Sequence, residues 1–370
     1  MRWLSLVVLV FLSVPVGADD SRSASQLSEL LNEENDLGFA KAGTVRPFSF
    51  PEDHGPHEAF RNEWWYITGN LDDEQGRRFG FEITIFRFSL TPTPPDADSA
   101  WRTNQVYIAH LAVTDADRER FYVAERYSRG ALGLAGAQAD PFRVWIDDWE
   151  IAAADDRESW DIHAVDGEIA LDLALTPLRD PVLNGNAGLS RKSSNIDSAS
   201  YYYSITRLQT EGTLTIDGTD YAVSGLSWLD REWSTSALAS DQVGWDWFAL
   251  QLSDGTDLML YNIRKQDGSA DDASSGTITF PDNRYERLYR SDFEIIVRDT
   301  WDSPEGGTYP SRWSVRLPKH DLELDIVPVI ADQELFTMVR YWEGAVDVDG
   351  RSDGQPVSGR GYVELTGYAD

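Results

Sequence analysis

The sequence predicts an all-β chain made of two related antiparallel units, and three observations carry that prediction. Apolar and polar residues alternate through most of the chain from Trp64 onward, helical periodicity is nearly absent, and a weak internal repeat relates the two halves. Phe79 to Phe88, Val106 to Val113, Phe121 to Glu125, Glu168 to Leu175, Tyr201 to Leu208, Thr213 to Ile216 and Phe248 to Leu252 read as strands. Asp217-Gly218, Asp254-Gly255 and Asp349-Gly350 supply the turns between them. Such strands make a barrel or a sandwich. A closed barrel removes edge strands and leaves room for one small ligand, but periodicity alone does not separate the two.

The repeat sets the organisation. Trp64-Trp65-Tyr66 opens the first unit as Trp245-Asp246-Trp247-Phe248 opens the second, and Val223-Ser224-Gly225 closes one as Val357-Ser358-Gly359 closes the other. The first copy is longer, and its extra chain is assigned to residues 126–200. We therefore divide the sequence into a barrel over 45–232, with that insertion, and a barrel over 233–370.

Ahead of both units, Arg2, the apolar run Trp3 to Val14 and the small residues Val16-Gly17-Ala18 read as a cleaved signal segment over 1–18, too short to span a bilayer. Residues 19–44 form an acidic leader in which Ser25 to Leu31 fits a short capped helix. The mature chain is expected in the periplasm or outside the cell. It contains no cysteine, which excludes disulfides, thiolate metal sites, a Cys nucleophile and a lipoprotein anchor. The 370 residues carry 63 acidic and 32 basic side chains, a net charge of −31, which excludes nucleic acid and anionic lipid surfaces as partners. Aromatic residues reach 12%, and the most distinctive of them sit in the paired opening motifs.

Phe50-Pro51-Glu52-Asp53-His54-Gly55-Pro56-His57, Glu63-Trp64-Trp65-Tyr66, Trp228-Leu229-Asp230-Arg231-Glu232-Trp233, Gly244-Trp245-Asp246-Trp247-Phe248 and Tyr362-Val363-Glu364-Leu365-Thr366-Gly367-Tyr368 resemble the AttH-like family. That family includes carotenoid 1,2-hydratases (hydroxyneurosporene synthases), kievitone hydratases and exported proteins labelled secreted hydrolases. The resemblance runs from about Phe50 to Tyr368. It implies two lipocalin-like antiparallel β-barrels in tandem, and it makes a component of an ABC transport system a plausible partner. In the hydratase members it associates acid chemistry with a His and an Asp near the equivalents of Arg231 and Ile263, beside Trp233 and Tyr261. Trp233 and Tyr261 persist in this chain, whereas positions 231 and 263 offer no acid.

A position demanded by barrel geometry should recur in both copies, so unmatched polar clusters are the candidates. Aligned on Val-Ser-Gly, Asp230-Arg231-Glu232-Trp233 falls opposite Glu364-Leu365-Thr366-Gly367, leaving Arg231, Glu232 and Trp233 without equivalents. Nor does the approach to the second Trp strand reproduce His54, His57 and Arg61. Asp230, Glu232 and Asp246, with Arg231 and His54, are thus the catalytic candidates: a desolvated carboxyl holds a proton near neutral pH, and its neighbours set its charge. An ion-paired corner between units is the alternative reading of the 230–232 triplet. His54 and His57 flank a Gly-Pro turn with no third ligand nearby, so no metal or other cofactor is expected.

Trp64, Trp65, Tyr66, Trp233, Trp245, Trp247 and Tyr261 are the ligand-binding candidates. They either fill the barrels or line a cavity for an apolar or amphiphilic small molecule, where their π faces would also stabilise a cation. There is no Gly-x-Ser-x-Gly elbow to support a hydrolase. The function expected is binding of such a molecule, with hydration of a carbon–carbon double bond as the activity. A non-catalytic accessory role beside an ABC transporter is the alternative.

Overall fold

The computed structural model of the protein describes residues 38–194, 198–236, 239 and 241–369. The expected signal segment, most of the leader and its short helix lie outside the described residues. The first sheet contains β1 (Asn62–Asp73), β2 (Arg78–Ser89), β3 (Gln105–Asp115), β4 (Arg120–Arg129), β5 (Ala135–Ala139), β6 (Phe142–Ile146), β7 (Trp149–Ala153), β8 (Trp160–Asp166), β9 (Ile169–Pro177), β10 (Val182–Leu183), β11 (Leu189–Arg191), β12 (Ala199–Ile216) and β13 (Thr219–Ser236). The second contains β14 (Gln242–Leu252), β15 (Asp257–Lys265), β16 (Ser275–Thr279), β17 (Tyr285–Tyr289), β18 (Glu294–Asp302), β19 (Thr308–Leu317), β20 (Leu322–Pro328), β21 (Glu334–Phe336), β22 (Arg340–Ser352) and β23 (Gln355–Thr366).

Strand order is β4-β3-β2-β1-β13-β12-β9-β8-β7-β6-β5 in the first sheet, with β10 and β11 also paired to β12. In the second it is β17-β16-β15-β14-β23-β22-β20-β19-β18, with β21 on β22. Each sheet curls into a nearly closed, lipocalin-like barrel; in the first, β3 and β4 come round to β5 and β6. The chain between 126 and 200 is part of this wall, since it supplies β5 to β11. The sequence division at 232/233 falls inside β13, which runs on to Ser236, and the second sheet opens at Gln242.

Alternation decides what each strand does. Odd positions of β1 and β13, such as Trp65, Ile67, Leu229 and Trp233, point into the first barrel and join Phe81, Ile83 and Leu111 in its core. Phe248, Leu250, Leu260, Trp313, Trp342 and Val363 fill the second. Each such side chain contributes about 1.5–3 kcal/mol on burial, and in a cysteine-free chain these two cores take the place of cross-links.

The opposite parity forms a third apolar layer, in which the barrels pack outer face to outer face: Tyr66, Tyr202 and Trp228 meet Trp247, Ala249, Met259 and Tyr362. Gly80 permits the approach, because a Cβ there would lie 2.8 Å from both the Ala345 Cβ and the Tyr362 hydroxyl. Beside this layer, the buried Asp257 of β15 accepts from Thr206 (2.8 Å) and the Arg207 Nε (2.8 Å) of β12, and Arg179 stands 3.2 Å away. Arg207 also donates to the Leu252 carbonyl at 2.7 Å, tying the two sheets through side chain and backbone.

Candidate functional site

A pocket opens between the two outer faces. From the first barrel, β13 contributes Asp230 and Glu232, β1 contributes Trp64 and Tyr66, and β12 contributes Tyr202. From the second, β14 contributes Trp245 and Trp247, β15 Tyr261 and Ile263, and β23 Glu364. Register explains the grouping. Asp230 sits opposite Tyr66 and Glu232 opposite Trp64 in one sheet, as Glu364 sits opposite Trp247 in the other. Cross-strand partners share a face, so each of these pairs looks into the same space. The cavity lies between the barrels rather than within either.

Asp230 is held by three donors: Ser204 Oγ and Tyr202 Oη, each at 2.5 Å, and Trp228 Nε1 at 2.8 Å. Burial nevertheless outweighs them and pushes its carboxyl up to about 7. Glu364 is pushed up to about 7 as well, first by burial and then by the charges of Asp230 and Glu232, with the Trp245 side chain opposing. Glu232 accepts from Ser200 and stands 2.9 Å from the Lys192 ammonium. The Tyr202 hydroxyl that donates to Asp230 accepts from Trp247 Nε1 at 3.1 Å, a hydrogen-bond link from one barrel to the other.

At the far side, Tyr66 donates to Glu343, which also lines the pocket. Burial raises Glu343 well above the usual carboxyl range, and Glu82 and Glu364 raise it further. Glu82 itself is driven up to about 8 by burial, against the Thr84 hydroxyl. One carboxyl oxygen of each, Oε2, is buried without a partner. The site is therefore an aromatic cleft with several carboxyls able to hold protons at neutral pH. His110, which bonds Tyr341 at 2.6 Å and Glu125 at 3.1 Å, closes one side.

Several sequence candidates lie elsewhere, for one reason: adjacent residues of a strand face opposite ways. Arg231, between Asp230 and Glu232, points into the first barrel. It stacks 3.8 Å over Trp65, donates to the Gly55 carbonyl at 2.6 Å and pairs with the fully buried Glu63, which Arg87 also binds. Burial alone would raise the Glu63 carboxyl, but the two arginines hold it well below the ordinary range. Trp233 stacks on His57 at 3.7 Å in the same plug. His54 bonds the Tyr203 hydroxyl at 2.6 Å, and burial with the nearby Arg231 charge depresses it to about 4. Arg231, His54, Trp65 and Trp233 thus seal one end of the first barrel and do not reach the pocket.

Asp246, between Trp245 and Trp247, turns into the second barrel by the same alternation. There it accepts from Arg264 at 2.6 Å and Tyr368 at 2.8 Å. Asp230, Glu232, Trp64, Tyr66, Trp245, Trp247 and Tyr261 are brought together as a site. Glu364, Glu343, Lys192 and Tyr202 were missed. A signal for Glu364 existed, since the repeat sets it opposite Asp230; Glu343 lies in a repeat mark, Glu343-Gly344, that carries no chemistry of its own, and Lys192 and Tyr202 carry no local motif. Among the described residues no group of three or more His, Asp or Glu side chains is arranged to hold a metal ion.

A crystal structure of an AttH-type protein from Nitrosomonas europaea is 33% identical and superposes with a TM-score of 0.80, covering 90% of this chain and all of its own. Kievitone hydratase from Nectria haematococca, 16% identical, has a TM-score of 0.66 over 90% of this chain and 96% of its own, a likeness of fold. Kievitone hydratase of Fusarium solani subsp. phaseoli is 22% identical over 210 residues, which span 55% of this chain and 58% of that protein. The model of the AttH-like family matches residues 41–368, so nearly all of the described chain, both barrels and the pocket between them, belongs to the AttH-like family.

Proposed function

We propose that the protein is an exported hydro-lyase that adds water to a carbon–carbon double bond of an isoprenoid-like molecule held between its barrels. One observation carries the reading: Asp230 and Glu364 face one aromatic pocket from opposite barrels, and both are pushed to about 7. Hydration needs an acid that is neutral at working pH, a base for water, and a surface that tolerates a carbocation. Glu364 is the better acid, because three hydrogen-bond donors fix the carboxylate form of Asp230, whereas the Glu364 carboxylate is favoured by the Trp245 side chain and by the more distant charge of Lys192.

In the proposed step the Glu364 proton goes to one alkene carbon, and the π electrons form the new C–H bond. Positive charge is left on the neighbouring carbon, against the rings of Trp245 and Trp247. Water adds there and yields a proton to the Asp230 carboxylate. One proton is delivered and one recovered, so passing it from Asp230 back to Glu364 restores the site. The hydratases among the relatives support this class of reaction.

The pocket's volume, about 100 Å³, is smaller than that of the ~150 Å³ apolar cavity that accepts benzene. It suits the end of a molecule rather than a whole polyene. The test is incubation with acyclic isoprenoid alkenes in heavy-oxygen water, followed by mass spectrometry of the products. Incorporation of labelled water is expected, with a loss of about a hundredfold or more in Asp230→Asn and Glu364→Gln. Unlabelled substrate throughout, or full activity in both variants, refutes the proposal.

A further inference from the structure

Lys192 is the one lysine in the pocket, and the reaction proposed above has no use for it. It follows β11, anchored where Gln242 Nε2 donates to its carbonyl at 2.7 Å. Its ammonium stands 4.4 Å over the Tyr261 ring and 5.0 Å over the Tyr202 ring. Burial pulls the amine down, but the Glu232 carboxylate outweighs this and holds it above its ordinary value, so it is charged. An ammonium has three donors. Among the described residues it has one side-chain acceptor, Glu232 at 2.9 Å, which Ser200 also binds. The remaining N–H groups lie against the Tyr261 and Tyr202 faces in an aromatic-lined cavity, where an oxygen acceptor would be worth more than in water.

A cationic group has a second consequence. A carbocation next to Lys192 would be repelled, so the alkene belongs at the Trp245–Trp247–Glu364 side and some other part of the ligand belongs at the ammonium. We propose that Lys192, oriented by Glu232, recognises an oxygen of the ligand, so that the pocket selects molecules carrying a hydroxyl, carbonyl or phenol group close to their double bond. This rests on the hydratase reading for the position of the alkene, and it makes Lys192 a specificity-determining residue rather than an acid or base.

The test uses two probes, prenyl alcohol and the matching hydrocarbon without the hydroxyl, titrated by ligand-observed NMR into the full chain. The wild type is expected to prefer the alcohol by about tenfold or more, as for a hydrogen bond to a charged donor. Lys192→Met is expected to abolish that preference while leaving hydrocarbon affinity in place, and Lys192→Arg to retain part of it. Because Lys192→Met leaves Glu232 buried without its partner, the double variant Lys192→Met/Glu232→Gln removes both charges and should behave alike. Retention of the preference in these variants, equal loss of both probes at an unchanged melting temperature, or no preference in the wild type each overturns the proposal. Since binding is read without turnover, a protein that discriminates the probes but never hydrates them would refute the hydratase reading and leave this one standing.

Discussion

Arg231→Met gives the sharpest test of the division of one strand between a barrel plug and a pocket. The substitution keeps much of the side chain's length but removes its charge. It leaves Glu63 with one arginine in place of two and deprives the buried Gly55 carbonyl of its 2.6 Å donor. Breaking a buried pair on one side costs about 3–5 kcal/mol. For a unit of this size each kcal/mol moves the melting temperature by about 2–4 °C, so a fall of about 6–20 °C is expected. Circular dichroism melts supply that number, and turnover and prenyl alcohol binding are then measured well below both transitions. Folded Arg231→Met should be active, because the arginine is absent from the pocket. A melting temperature within about 1 °C of wild type together with lost binding or turnover would show that Arg231 acts in the site and that the face assignment is wrong.

The other expectations concern charge at buried carboxyls. For Asp230→Asn stability should change by no more than about 1 kcal/mol at pH 6, while turnover disappears; a stability loss like that of Arg231→Met would return Asp230 to the ion-paired corner. With Glu364 pushed to about 7, kcat/KM should fall as pH rises above that value, and Glu364→Gln should remove that fall while leaving the low-pH rise set by Asp230; a profile flat from pH 7 to pH 9 contradicts the acid role. Glu82, at about 8 when folded, binds more protons in the native state than in the unfolded one from about pH 4.5 upward. Stability should therefore decline as pH rises through that window, by at most about 1.4 kcal/mol per pH unit, and Glu82→Gln should flatten the slope seen in urea titrations. Asp257→Asn should cost about 3 kcal/mol by leaving Arg207 and Arg179 without their shared carboxylate between the barrels, and an unchanged urea midpoint would count against that clamp.

Strand alternation and the internal repeat were legible because they are local and periodic, and they were enough to give two barrels. Which face of a strand meets the second barrel is not local. Trp64-Trp65-Tyr66 reads as three aromatic residues in a row, yet Trp65 belongs to a core while its neighbours line the pocket. Asp230-Arg231-Glu232 reads as one charged triplet, yet the arginine and the acids never share an environment. Sequence shows that the parity differs; only docking shows which parity faces the partner. Lys192 and Tyr202 were hidden for the same reason, since neither lies in a motif and each gains its meaning from groups distant in sequence, Tyr261 and Trp247.

An unmatched position in the repeat is not thereby free of barrel geometry: Arg231 and Trp233 are unmatched because they plug one barrel only. The matched pair, Asp230 and Glu364, is the one at the centre of the pocket. A carboxyl on the outer face of a lone barrel would be solvated and would titrate as an ordinary Asp or Glu. When two such barrels pack outer face to outer face, equivalent positions are buried against each other, and burial is the first cause of the raised value at both residues. The acidity of the site is thus a property of the docked pair. A substitution that loosens the interface without touching the pocket, such as Asp257→Asn, should return both carboxyls toward ordinary values and lower the pH above which turnover is lost.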